Sequence, residues 1–183
     1  MTVDLGREQT IPAWWSSTLW VLLGVAAGLV GWLSRRRHWF FVAALAWAAS
    51  VDEYAELHER LDRVGSVMQG QLPVELAYAW VIPGSILAAS IGVAGIVLFR
   101  SETAHTRSGL IWAGVLFLGG AVVLEVAGSL ILEHFQMMTW HFAVAYHVEE
   151  IFEMLGVTLG IVAVLARLMT HSQAPVSPCQ PQV

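Results

Sequence analysis

The sequence predicts an all-α integral membrane protein, a bundle of five transmembrane helices with the N-terminus outside and the C-terminus in the cytoplasm. Of its 183 residues, 57% are hydrophobic and only 13% are charged, about half the charged share of soluble domains. Several apolar segments approach the roughly 20 residues that a helix needs to cross the hydrocarbon core of a bilayer. Arginine-rich loops follow alternate segments and indicate the cytoplasmic side.

The first and third predicted spans are uninterrupted apolar segments. Residues 14–33 open with two tryptophans, which are typical of the membrane interface, and are followed by three consecutive arginines. Residues 76–99 form the third span and end at Arg100. Pro83 lies inside this span, so we expect a kink there.

The second, fourth and fifth spans must include acidic residues in order to cross. We place them at 39–61, 110–132 and 142–168. The uncharged part of the second span stops at Val51, which is too short for a crossing, so its helix is expected to continue through the acids that follow. The fourth span contains Glu125, and the fifth begins with a segment rich in glutamate.

The domain organisation follows from these spans. Residues 1–13 are predicted to be an external segment, 14–169 the membrane domain, and 170–183 a disordered cytoplasmic tail because of its three prolines. The bacterial inner membrane is the predicted location. A net charge of -5 without a basic stripe excludes nucleic acid as a partner. The only cysteine, Cys179, lies in the tail, so a metal site must use His and carboxylate ligands.

Acidic residues of three spans are predicted to lie at one depth. Counting inward from the outer helix ends at about 1.5 Å per residue places Glu56 about 8 Å deep, Glu125 about 10 Å, Glu53 and Glu150 about 12 Å, and Glu153 about 16 Å. An ionisable residue at the centre of a span costs roughly 2.5 to 3.5 kcal/mol. Like charges so close together cannot all ionise unless they bind protons or a cation.

A bound divalent metal would neutralise this layer. The residue types match those of the carboxylate-bridged dinuclear sites of helical bundles, in which Glu and Glu-x-x-His pairs project inward. Here the histidine precedes its glutamate, so the ligand types agree while the ferritin-like signature is missing. Oxygen and nitrogen ligands suit Fe, Mn or Zn, and Fe is the preferred metal. The candidate ligands are Glu53, Glu56, Glu59, Glu125, His147, Glu150 and Glu153.

The favoured functional hypothesis is a metal-dependent membrane oxidoreductase, a redox or oxygen-dependent enzyme acting on an apolar or quinone-like substrate. The substrate would arrive through the lipid, and Tyr146 is the candidate catalytic residue, as a redox or proton partner. Two alternatives stay open. One is a cation or proton transporter or channel that uses the same carboxylates. The other is an accessory subunit of a larger membrane complex, which binds metal, haem or pigment through its histidines.

Overall fold

The computed structural model describes residues 11–70, 76–135 and 140–172, and helices connected by short loops make up these ranges. No β-strand occurs within them, which confirms the all-α class. A 3₁₀ turn, His58–Leu61, precedes α3, and a π-helical segment, Gly119–Leu124, joins α5 directly to α6. The helices are α1 (Ile11–Ser34), α2 (His38–Ala55), α3 (Asp62–Gln69), α4 (Val81–Phe99), α5 (Ala104–Leu118), α6 (Glu125–Phe135) and α7 (Trp140–Ser172).

Four helical segments of the described chain are long and apolar enough to cross a membrane: Ile11–Ser34, Val81–Phe99, Ala104–Phe135 and Trp140–Thr170. Their outward faces carry large apolar side chains, and Trp32, for example, is 75% exposed. Soluble proteins rarely expose so much contiguous apolar surface. These features are those of a membrane protein. The helix α2 is not among the four, and the predicted number and orientation of the spans stay predictions.

The helix α7 lies at the centre of the bundle, where α1 packs along one side and α5 along another. The helices α5 and α7 are antiparallel, since Gly109 lies against Ala163 near one end and Gly120 against Glu153 near the other. The helix α1 also packs along α2. Apolar and small side chains fill the core between α1, α2 and α7, and Trp39 is completely buried there.

Glycines allow α7 to approach its neighbours closely. A Cβ atom at Gly156 would lie 2.6 Å from the backbone nitrogen of Phe117, and one at Gly120 would lie 2.9 Å from the carbonyl oxygen of Glu149. Real Cβ atoms do not come so close to other heavy atoms. The backbones of α7 and of the α5 to α6 segment are therefore in direct contact at these two glycines.

The helix of the second span ends at Ala55 instead of continuing to Leu61. Glu56 adopts a left-handed conformation with φ of 51°, and the helix ends there. The carboxylate of Asp52 accepts a hydrogen bond from the backbone N–H of His58 at 2.8 Å. A side chain that binds the backbone in this way competes with the helical hydrogen bonds, which accounts for the corrected boundary.

The third span also begins later than predicted, because α4 starts at Val81 and not at residue 76. Pro83 lies in the first turn of α4, where its missing N–H has no helical partner to lose. The prediction of a kink at Pro83 is therefore wrong, because the proline lies at the start of the helix. The helix α7 extends to Ser172, so residues 170–172 of the predicted tail are helical. Residues 1–10 and 173–183 lie outside the described ranges.

The predicted cytoplasmic loops meet at one end of the bundle, around the buried side chain of Glu102. That side chain is only 1% exposed. Its carboxylate accepts hydrogen bonds of 2.9–3.1 Å from Arg36, His38, Trp39 and Arg167. Burial alone would raise the pKa of Glu102, but the hydrogen bonds from Arg167, His38 and Trp39 outweigh it and lower that pKa to about 2. One carboxylate thus connects the α1–α2 loop, the α4–α5 loop and the end of α7.

Candidate functional site

The opposite half of the bundle contains a group of acidic side chains on three helices. The residues come from α2, from the start of α6 and from the N-terminal half of α7. This set, called the carboxylate cluster below, comprises Glu53, Glu125, Glu149, Glu150 and Glu153. No ion pair with arginine joins the cluster in the part of the chain that the structure describes.

Glu149 is the most buried member of the carboxylate cluster, at 7% exposure. Its carboxyl group interacts with that of Glu125. Two neighbouring carboxyl groups do not both ionise readily, and either a proton or a cation between them would relieve their repulsion. This pair brings α6 and α7 together within the cluster.

Glu153 connects the two sides of the carboxylate cluster. It lies against Gly120 of the π-helical segment and interacts electrostatically with Glu53 and Glu125. On the other side, Glu53 interacts with the side chain of the buried Ser16 on α1. Glu53 also interacts electrostatically with Glu150 of α7.

Tyr146 lies beside the carboxylate cluster, one turn before Glu150. Its hydroxyl group donates a hydrogen bond of 2.8 Å to the carboxylate of Glu150. A phenol with a carboxylate partner can release its proton to that partner when it is oxidised. This geometry is suited to the redox or proton role predicted for Tyr146.

His58 and Asp52 form a second polar group, which extends the cluster toward the end of the bundle. The Nδ1 atom of His58 lies 3.0 Å from a carboxylate oxygen of Asp52. Burial lowers the pKa of the His58 imidazole, but its hydrogen bond to Asp52 and the charge of that carboxylate outweigh burial. The charges of Glu59 and Glu125 act in the same direction, so the net shift is upward.

Residues 56–70, called the cap segment below, connect α2 to the region just before α4. A Cβ atom at Gly65 would overlap the carbonyl group of Ala79, so only glycine permits this approach. The carboxylate of Asp62 accepts a hydrogen bond of 3.1 Å from the backbone N–H of Trp80. These contacts fix the cap segment, and with it His58, against the start of α4.

Tyr78, just after the undescribed residues 71–75, also lies near the carboxylate cluster. Its backbone N–H donates a hydrogen bond of 3.1 Å to the hydroxyl oxygen of the fully buried Ser129. Burial raises the pKa of the Tyr78 phenol, and the charges of Glu125 and Glu149 raise it further. The segment before α4 therefore closes one side of the site.

The predicted ligands divide into two groups in the structure. Electrostatic interactions connect Glu53, Glu125, Glu150 and Glu153 across three helices, whereas Glu56 and Glu59 lie on the cap segment. There the side chains of these two residues interact with each other, and Glu59 is exposed. Across residues 11–70, 76–135 and 140–172, no three His, Cys, Asp or Glu side chains are arranged to hold a metal ion.

His147 lies on the exposed face of α7. It shares that face with Val144, Ile151 and Leu155, which are all exposed. Its Nδ1 atom is 2.7 Å from the carbonyl oxygen of Ala143 in the preceding turn. His147 thus points away from the buried Glu149, although its charge still interacts with Glu150.

The candidate ligands named from the sequence do not include Glu149, His58 or Asp52, which the structure places in or beside the cluster. A signal for Glu149 was available, because the packing face of α7 contains Gly156 and Gly160, and Glu149 lies seven residues before Gly156 on that face. The sequence contains no comparable signal for His58, since the position of His58 depends on the left-handed turn at Glu56.

Comparison with curated proteins and with solved structures finds no match. A protein family does match, and the match covers residues 1–168, nearly the whole chain and all the residues of the site described above. The chain therefore belongs to the family described as domain of unknown function DUF8692.

Proposed function

We propose that this protein is a metal-dependent oxidoreductase of the bacterial inner membrane, in which the carboxylate cluster holds a divalent cation. Iron is the preferred metal, with Mn and Zn as alternatives. The reaction is a redox or oxygen-dependent step on an apolar or quinone-like substrate. In this proposal α2 also crosses the membrane, which makes five spans in all. The N-terminus lies outside, so that the site lies in the outer half of the bilayer.

The interaction between the carboxyl groups of Glu125 and Glu149 is the observation that carries the proposal. The pair is buried among further carboxyl groups, and no arginine of the described chain forms an ion pair with it. A buried anionic group without compensation is costly. A divalent cation compensates two such charges at once and prefers oxygen ligands of this kind.

The surroundings of the cluster supply what a redox reaction needs. Bound iron would provide the one-electron chemistry. The hydrogen bond from Tyr146 to Glu150 offers a path for a proton that accompanies an electron. An open depression of about 310 Å³ on α7, lined by Ala143, Val144, His147 and Val148, would admit an apolar substrate from the lipid.

A second candidate function is a cation or proton carrier. The interaction between the carboxyl groups of Glu125 and Glu149 favours it, since such a pair can bind one proton reversibly. A carrier also needs a polar path to the other membrane face. The core of α7 beyond the cluster, at Val157 and Val164, is apolar and buried, which favours the enzyme.

The proposal is tested by purifying the protein in detergent, recording its visible spectrum and measuring bound metals. About one or two Fe or Mn per chain supports the enzyme. Metal content should fall at least about tenfold in Glu149→Gln and Glu125→Gln, because each substitution removes an anionic ligand. The exposed Glu133→Gln is the matched control and should keep the metal.

Three outcomes contradict the proposal. Metal content that is the same in Glu149→Gln, Glu125→Gln and the wild type places the metal elsewhere. Metal-free protein that mediates proton-coupled flux in liposomes supports the carrier. Haem or pigment absorbance, with no other metal, supports an accessory subunit.

A further inference from the structure

The short helix α3 is attached to the rest of the protein by one face. Asp62 and Gln69 accept hydrogen bonds of 3.1 Å from backbone N–H groups within residues 76–80, and Gly65 lies against the same segment. These three residues are three or four positions apart, so they share one face of the helix. The opposite face of α3 therefore points away from the bundle.

Two arginines and two valines make up this outward face. Arg60, Arg63, Val64 and Val67 are also three or four positions apart. All four are exposed, and Val67 is 75% exposed. None of the ion pairs in the described chain includes Arg60 or Arg63. The face thus presents two guanidinium groups next to apolar side chains.

The helix α3 lies at the level where a membrane span begins. The span Val81–Phe99 starts directly after the segment that α3 contacts. Because a span crosses the hydrocarbon core from one headgroup layer to the other, its first residues lie beside lipid headgroups. Arginine side chains and exposed valines suit this interface, where the apolar parts contact lipid and the charged ends reach the headgroups.

An open depression of about 440 Å³ on this face is lined by Glu59, Arg60, Arg63 and Val64. Guanidinium groups bind phosphate through paired, charge-assisted hydrogen bonds. The carboxylate of Glu59 would repel a free phosphate but would accept hydrogen bonds from an ammonium group. It also interacts with the carboxyl group of Glu56, and a cation beside the two would relieve their repulsion. The depression therefore suits a ligand that carries both a phosphate and an ammonium group.

We propose that this depression binds the phosphoethanolamine headgroup of a membrane phospholipid. Arg60 and Arg63 bind the phosphate, and Glu59 binds the ammonium group. The exposed valines contact the glycerol and the upper part of the acyl chains. The site is separate from the proposed metal site, and it does not depend on which side of the membrane is external, since the lipid belongs to the leaflet at the α3 end of the bundle.

The experiment uses the full chain in detergent, and native mass spectrometry measures the phosphatidylethanolamine bound per chain. Arg63→Gln should weaken this binding roughly tenfold, because it removes charged hydrogen bonds to the phosphate. Arg37→Gln is the matched control, since Arg37 is also exposed and belongs to no ion pair of the described chain. Its binding should equal that of the wild type. Size-exclusion chromatography checks that both variants remain folded.

Phosphatidylglycerol separates the two halves of the headgroup site, because it has the phosphate and lacks the ammonium group. The wild type should prefer phosphatidylethanolamine, and Glu59→Gln should remove this preference. Equal binding of the two lipids by the wild type overturns the proposal. So does binding that is unchanged in Arg63→Gln, or that falls equally in Arg37→Gln. Inorganic phosphate that displaces the lipid at equal concentration would indicate a free-phosphate site instead.

A second measurement tests the level of α3 in the membrane. In a Cys179→Ser background, a nitroxide label is attached at Val67→Cys or at Ser101→Cys, and each protein is placed in vesicles of phosphatidylethanolamine and phosphatidylcholine. Oxygen concentrates in lipid and a nickel chelate in water. The ratio of oxygen to nickel accessibility should be higher at position 67 than at position 101, which lies in the exposed α4–α5 loop. An equal or lower ratio at position 67 overturns the contact with lipid.

Discussion

Glu102 and Glu149 are both buried carboxyl groups, and their surroundings differ in one respect. Two arginines bind Glu102 directly, whereas Glu149 faces another carboxyl group. A buried charge is retained at low cost only when donors or cations surround it. Glu102 therefore has its countercharge within the chain, and Glu149 has none among the described ion pairs.

Replacing Glu102 should destabilise the protein strongly. Glu102→Gln leaves the guanidinium groups of Arg36 and Arg167 without an anion, and we expect a loss of about 3 kcal/mol. Thermal unfolding in detergent measures the effect, and Glu133→Gln, at an exposed position, is the control. Equal unfolding temperatures for the two variants would contradict this assignment.

The lowered pKa of Glu102 also predicts that the stability of the protein depends on pH. The pKa of Glu102 is about 2 in the folded protein, against an ordinary value of 4.5. Its contribution is therefore complete above about pH 4.5 and is lost as the pH falls toward 2. The wild type should lose more stability over this interval than Glu102→Gln, which has no carboxyl group to protonate at that position.

The sequence predicts Glu53, Glu125, Glu150 and Glu153 as neighbours because depth along a helix depends only on residue count. It does not predict Glu102 as the partner of the arginines, since the pairing of loops depends on how the helices pack. The hydrogen bond between Asp52 and His58 is likewise invisible until the turn at Glu56 is known.

At the scale of elements, the contact between α5 and α7 depends on Gly156. Gly156→Ala would push a methyl group against the backbone of Phe117, which cannot move without separating the helices. We expect a loss of about 1 to 3 kcal/mol, measured by denaturant unfolding in detergent. Gly92→Ala on α4 is the control, because a Cβ atom there meets nothing within 4 Å.

The two glycines should behave in opposite ways. Alanine is the better helix former by roughly 0.5 to 1 kcal/mol, so Gly92→Ala should be neutral or slightly stabilising. A similar loss in both variants would show that helix propensity or lipid contact, and not the α5 to α7 contact, determines the effect.

The elements were predictable to different degrees. Hydropathy predicts the long apolar helices well, because length and composition decide whether a helix can cross a bilayer. The end of α2 was not predictable, since a glutamate is an unfavourable residue for a left-handed turn. The same holds for the π-helical segment Gly119–Leu124, which the apolar pattern does not distinguish from an α-helix.

At the scale of the whole molecule, the two polar groups lie in opposite halves of the bundle. The Glu102 group contains the arginines of the predicted cytoplasmic loops. The carboxylate cluster should then be on the external side. Composition alone predicts the membrane class, whereas the side of each group follows only from the positive-inside rule.

Cysteine labelling tests this orientation. In a Cys179→Ser background, Glu133→Cys should react with a membrane-impermeant maleimide added to intact bacterial cells. Ser101→Cys, in the loop that carries Glu102, should react only after the membrane is permeabilised, because positively charged loops stay in the cytoplasm. Both positions are exposed. Labelling in the reverse order would place the carboxylate cluster on the cytoplasmic side.

The π-helical segment before Glu125 has an evolutionary consequence. A π-helical turn contains one residue more than an α-helical turn, so the stretch from Ala104 to Phe135 corresponds to an ordinary helix with a one-residue insertion. Removing that residue would rotate Glu125 by about 100° relative to α5 and away from Glu149. A single codon gained or lost would therefore suffice to create or abolish the carboxyl pair in a relative of this protein.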